Sequence, residues 1–164
     1  MQTTAPIKVE LEDATVKVGR WHDQKIDVLA APQKQLDDDT KDHFIQRDGV
    51  EFAGTHLLLD LYGASHLDDI GRIEQAMRDI VTACGATLLH IHLHHFSPSG
   101  GVSGVAVLAE SHISVHTWPE RDYAAFDVFM CGDAEPENAI PVLKRAFFPH
   151  RIEVCEELRG RVNK

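Results

Sequence analysis

The sequence predicts an α+β fold: an antiparallel-rich sheet with helices on one face, in the order βαββββαβ. Two observations carry this. Strand-like runs between residues 87 and 130 follow one another through short turns. Two segments with helical periodicity are segregated from those runs, one before and one after them.

Residues 1–50 differ from the rest. They hold Pro6, Pro32, a Lys/Gln/Asp-rich stretch and the run Asp37-Asp38-Asp39, with weak alternation only over Ile7–Val18. This reads as an N-terminal extension, partly disordered, whose charge run is a solvated face. Residues 51–164 form the remaining domain. His56–Tyr62 is a short apolar run expected as a buried strand. Ser65–Cys84 is expected as a helix, because Ile70, Ile73, Met77, Ile80, Val81 and Cys84 recur at helical spacing and Gly85 stands at the C-cap. Thr87–His95 alternates as a strand, and Phe96–Gly101 is a loop by composition. Val102–Ala109, Ile113–Trp118 and Tyr123–Met130 are the next strands. Glu135–Phe147 is a helix with Ala139, Ile140, Leu143 and Ala146 on one face, closed by Pro149, and Arg151–Glu156 is the last strand.

Composition bounds the function classes. At 164 residues the chain can bury a real core. Its net charge of −10 argues against a nucleic-acid surface and is compatible with a cationic small molecule. No apolar run approaches the ~20 residues of a membrane span. Met1–Ala31 contains no signal-peptide core, which places the protein in the cytoplasm. Cys84, Cys131 and Cys155 form no CxxC pair and read as reduced thiols.

The most informative stretch is residues 110–120, Glu-Ser-His-Ile-Ser-Val-His-Thr-Trp-Pro-Glu. A serine, two histidines and two carboxylates crowd a tight reversal between strands, and hydrophobic burial alone does not call for them. A serine at a strained turn can attack the carbonyl before it, converting an amide into an ester, given a base and oxyanion donors. His116 lies five residues on and could act as base or acid; Ser103, eight back, could face the same turn. On local chemistry alone, a plain hairpin with a polar turn is the simpler reading. Cys131-Gly132 at a strand end is a weak site signal. His90, His92 and His94 share a strand face and invite a zinc reading, but a fourth ligand at metal spacing is missing. A polar solvent or interface face is the simpler account of them.

The whole run Gly101–Glu120, followed by Tyr123–Gly132, resembles the prokaryotic S-adenosylmethionine decarboxylase proenzyme family, and the likeness extends from about His56 to the final strand. The resemblance implies a two-layer α/β sandwich that cuts itself between Glu110 and Ser111, leaving a β chain of residues 1–110 and an α chain of 111–164. Ser111 would become a covalent pyruvoyl group in place of pyridoxal phosphate, with no metal. It would attach the substrate amine and accept the electrons released with CO₂. His116 resembles the histidine that takes the serine α-proton during ester elimination, and Ser103 the serine that assists processing. Cys131 resembles the thiol that returns a proton after decarboxylation. Glu120 resembles the carboxylate that binds the ribose hydroxyls, and Phe96 the aromatic that stacks on adenine, with Trp118 as a further contact. The implied product is the aminopropyl donor for spermidine synthesis, and the implied assembly is a homodimer with active sites near its interface. Two departures stand out: the Phe96–Gly101 loop is one residue longer than the usual form, and the extension is unusual for the short bacterial class. The alternatives are a pyruvoyl-dependent ornithine or arginine decarboxylase, and a non-enzymatic metal-binding protein built on the His90/His92/His94 strand.

Overall fold

A computed structural model describes residues 44–162, together with the backbone of Thr15–Gly19. Alternation of small or apolar with polar residues sets nine strands, numbered here in chain order: β1 Thr15–Gly19, β2 Ile45–Arg47, β3 Val50–Phe52, β4 Gly54–Tyr62, β5 Leu88–His95, β6 Val102–Leu108, β7 His112–Trp118, β8 Tyr123–Met130 and β9 Arg151–Arg159. The helices are α1 Ile70–Ala83 and α2 Ala139–Phe147. From β4 onward the order is the expected βαββββαβ.

Seven strands form one sheet in the order β1-β9-β4-β8-β7-β6-β5. Every neighbouring pair is antiparallel except β1 with β9. Because side chains alternate, each strand sends one set to the helices and one to the opposite face. Leu57, Leu59, Ile113, Val115, Phe126 and Val128 are buried on the helix side. They meet Ile73, Met77 and Ile80 of α1 and Ile140, Leu143 and Phe147 of α2 in one core. The other face has no helix over it among the described residues. There, His116, Val105, Val107 and Trp118 are exposed. The described residues thus form a two-layer sandwich with one sheet face left bare by them.

α2 begins at Ala139, after a 3-10 turn at Pro136–Asn138, rather than at Glu135, and β9 runs to Arg159 rather than Glu156. Three larger features differ from the sequence expectation. α1 begins at Ile70 rather than Ser65. Asp69 caps it by accepting from the Arg72 N–H at 3.0 Å, and His66 stands at φ 59°, outside the helical region. The α1 end is as expected: Gly85 takes φ 73°, and the N–H groups of Gly85 and Ala86 donate to the Thr82 and Val81 carbonyls. Second, Thr15–Gly19, overlapping the end of the weakly alternating stretch, joins the sheet as an edge strand parallel to β9. Third, β2 and β3 form a hairpin that straddles residue 50. Most of the residues read as a partly disordered extension lie outside the described residues.

Candidate active site

The β6–β7 turn carries Glu110 and Ser111. Glu110 sits at φ 60°, a left-handed conformation that costs a non-glycine residue about 1–3 kcal/mol when the surroundings impose it. The register imposes it here, because the Leu108 N–H donates to the Ser111 carbonyl at 2.9 Å across the turn. Ser111 is buried, whereas Glu110 is exposed.

Cys131, at the end of β8, addresses both sides of the 110–111 peptide bond. Its backbone N–H donates to Ser111 Oγ at 3.1 Å, and its thiol donates to the Glu110 carbonyl at 3.1 Å. The thiol pKa is raised above its ordinary 9.0. Burial is the main cause and the Glu110 carboxylate adds to it, while the hydrogen bond with Ser111 opposes them. The thiol therefore holds its proton at neutral pH and can act as a donor. A cleft of about 280 Å³ opens beside this group, lined by Gly85, Ala86, Thr87, Gly132, Asp133 and Ala134 along with Glu110, Ser111 and Cys131.

Ser103 and His116 do not join this group. They are paired across β6 and β7, with Ser103 Oγ 2.8 Å from His116 Nδ1, on the bare sheet face. His116 is five residues along β7 from Ser111, about 16 Å at ~3.3 Å per strand residue. So Ser103 faces His116 rather than the turn, and within one chain neither reaches Ser111.

The residues expected to bind substrate lie at that same far end. The Trp118 ring is 6.1 Å from the His116 ring and 5.3 Å from the Tyr123 ring. Phe96 begins the β5–β6 loop with its ring 4.6 Å from His94, and it is exposed. Glu120 is exposed in the short 3-10 turn Pro119–Arg121 that follows β7. Thr117, buried between His116 and Trp118, accepts from the Val102 N–H at 2.8 Å and donates to the Leu67 carbonyl at 2.7 Å, which anchors this end to the helix layer.

The sequence reading missed Tyr123 and the row behind Ser111. The Tyr123 hydroxyl donates to Asp60, and its ring lies 5.3 Å from Tyr62; burial first, then Asp60, raises its pKa. His112, Phe129 and His56 form an aromatic row across β7, β8 and β4, with His112 and Phe129 stacked at 5.3 Å. Burial lowers the His56 pKa. Only cross-strand register reveals these neighbours. His90, His92 and His94 are exposed on β5, and no three metal-ligating side chains converge among the described residues.

A model of the S-adenosylmethionine decarboxylase family matches residues 55–160. An S-adenosylmethionine decarboxylase proenzyme of Thermomicrobium roseum is 47% identical over 110 residues, covering 66% of this chain and 95% of the relative. One from Methanococcus vannielii is 50% identical over 113 residues, covering 67% and 92%. The crystal structure of the adenosylmethionine decarboxylase of Aquifex aeolicus superposes with a TM-score of 0.60 at 33% identity, covering 69% of this chain and 95% of that one.

Proposed function

Because this chain belongs to the S-adenosylmethionine decarboxylase family, we propose that it matures by cutting itself between Glu110 and Ser111 and works through a pyruvoyl group derived from Ser111. The activity is decarboxylation of S-adenosylmethionine, carried by the family and by relatives matched over nearly their whole length. The bond at which it cuts, the cofactor, the residue roles and the assembly are our reading.

The observation that carries the reading is the placement of Cys131 on both sides of one strained peptide bond. Ser111 Oγ attacks the Glu110 carbonyl carbon and displaces the Ser111 nitrogen, so the amide becomes an ester. The left-handed Glu110 favours leaving the amide state, and the Cys131 thiol supports the charge developing on the carbonyl oxygen. A base then removes the Ser111 α-proton. The ester C–O bond breaks, Glu110 leaves as a carboxylate, and water releases ammonia from the new α-chain terminus to complete the pyruvoyl group. His116, hydrogen-bonded to Ser103, is the base we assign.

Once formed, the pyruvoyl group supplies a carbonyl that binds the substrate amine and accepts the electrons released with CO₂. The protein residues do the rest. Cys131 returns a proton, suited to this by its raised pKa. Glu120 accepts from the ribose hydroxyls, since an ionised carboxylate can take more than one O–H. Phe96, with Trp118, stacks on adenine, worth ~1–3 kcal/mol per base.

His116 and Ser103 stand too far from Ser111 to serve it in their own chain, so we assign them to the site of a second copy. A homodimer packed through the bare sheet faces brings the two half-sites together and covers Val105, Val107 and Trp118. We place the protein in the cytoplasm, where Cys84, Cys131 and Cys155 remain thiols, and its product in spermidine synthesis. No helix among the described residues is long and apolar enough to cross a membrane. Residues 51–164 are the catalytic domain in this reading.

Intact mass of purified protein tests the cut. A β chain of residues 1–110 and an α chain of 111–164 with a blocked N-terminus are expected, and Ser111→Ala should stay whole. An active preparation that is entirely one uncut chain overturns the proposal.

A further inference from the structure

The β2–β3 hairpin lies outside the stretch matched by the family model, which starts at residue 55. Asp48 and Gly49 form its two-residue turn, both at positive φ, 53° and 78°, as tight hairpin turns require. This turn sets Arg47 opposite Val50 and leaves Phe52 fully buried beneath the chain. The Arg47 guanidinium lies over the Phe52 ring, 5.4 Å from its centre.

From that perch Arg47 meets two carboxylates. One guanidinium nitrogen donates to Glu156, and the other is 3.7 Å from Glu137. Glu156 is on β9, turned to the helix side and only 6% exposed. A carboxylate so far from water needs a cation, and Arg47 supplies one. Glu137 belongs to the 3-10 turn Pro136–Asn138, reached six residues after Cys131. The far side of that segment is pinned to the end of α1: the Glu135 N–H donates to the Cys84 carbonyl at 3.0 Å, and the Asn138 amide to the Ala83 carbonyl at 3.1 Å. Arg47 holds it from the near side.

We propose that Arg47 is a positioning residue: by linking Glu137 to the buried Glu156, it fixes the 131–138 segment and with it the two Cys131 donors on the Glu110–Ser111 bond. The hairpin is then a brace on the self-cleavage site. The inference deepens the proposed self-cleavage and rests on it.

The test follows freshly made full-length precursor on denaturing gels. It compares the wild type with Glu137→Gln and with the double variant Arg47→Gln/Glu156→Gln. The double removes the buried charge together with its partner, so stability is retained while Glu137 loses its cation. Both variants should keep the wild-type melting temperature yet cleave about threefold more slowly or worse, as small misplacements of reacting groups do. Placed on a Ser111→Ala background, both should also alkylate Cys131 with iodoacetamide faster than the background chain does, as read by peptide mass. Wild-type cleavage together with unchanged alkylation overturns the brace. If the double variant fails to fold, Glu137→Gln decides alone, since it leaves the pair between Arg47 and the buried Glu156 intact. A wild-type precursor that never cleaves would overturn the proposed maturation, while the alkylation comparison would still judge the brace.

Discussion

Splitting the two proposed half-sites between different chains gives the most direct test of an active site shared by two copies. His116 lies about 16 Å from Ser111 along β7, whereas a base takes a proton at about 2.6–3.2 Å. The hydrogen bond to Ser103 holds the imidazole on the bare face, so side-chain rotation does not close the gap. The perturbation is co-expression of equal amounts of Ser111→Ala and His116→Ala chains carrying different tags. Random pairing places about half of the His116→Ala chains against a Ser111→Ala partner in a two-fold dimer. Each of those has its own Ser111 and Cys131 and meets the partner subunit's His116. About half of the His116→Ala chains should therefore be cut, and none of the Ser111→Ala chains. Expressed alone, His116→Ala should remain uncut or stall as a hydroxylamine-sensitive ester. The assay is a denaturing gel probed for each tag, with tandem-tag purification to count mixed dimers. If His116 acted within its own chain, no molecule in the mixture could mature. Mixed dimers in which the His116→Ala chain is never cut would refute the reasoning.

Four further outcomes are expected. Cys131→Ala should retain some processing but turn over more slowly, with alanine appearing at the α-chain N-terminus by mass as protons reach the cofactor carbon instead of the product; normal turnover without that alanine removes Cys131 as the donor. In the intact protein the Cys131 thiol should titrate above its ordinary 9.0, so its alkylation rate should keep rising beyond pH 9.0; a plateau below that pH contradicts the burial seen here. Glu120→Gln should mainly raise KM for S-adenosylmethionine and leave kcat largely intact, and a processed enzyme that ignores S-adenosylmethionine but decarboxylates ornithine or arginine would overturn the assigned roles of Glu120 and Phe96. Finally, Thr117→Val should destabilise the fold by about 1–3 kcal/mol in urea, since it strands the Val102 N–H and the Leu67 carbonyl inside the core.

The sequence by itself determined the elements from β4 to β9 and the turn between strands that carries Glu110 and Ser111. Both are written in short-range signals. Alternation over His56–Tyr62 and Tyr123–Met130, the 3- and 4-residue spacing through Ile73, Met77 and Ile80, and Gly85 at a left-handed C-cap each act within a few residues of themselves. The Asp48-Gly49 hairpin was equally local and carried its own turn signal. The helix start was harder to place because the loop before Asp69 continues apolar spacing through Leu67, a core residue outside the helix.

Tertiary structure alone decided where the candidate site groups stand relative to one another. Five residues in sequence is close on a helix, but it is about 16 Å on a strand, and this distance puts His116 and Ser111 in separate clusters. Register, not sequence spacing, brought Ser103 to His116, and the fold brought Cys131 onto the Glu110–Ser111 bond and Arg47 onto the buried Glu156. Such pairings join residues up to 109 positions apart, where no local pattern reaches. The bare sheet face has the same origin. Period-2 alternation gives each strand two faces, but only the packing of α1 and α2 decides which one they cover.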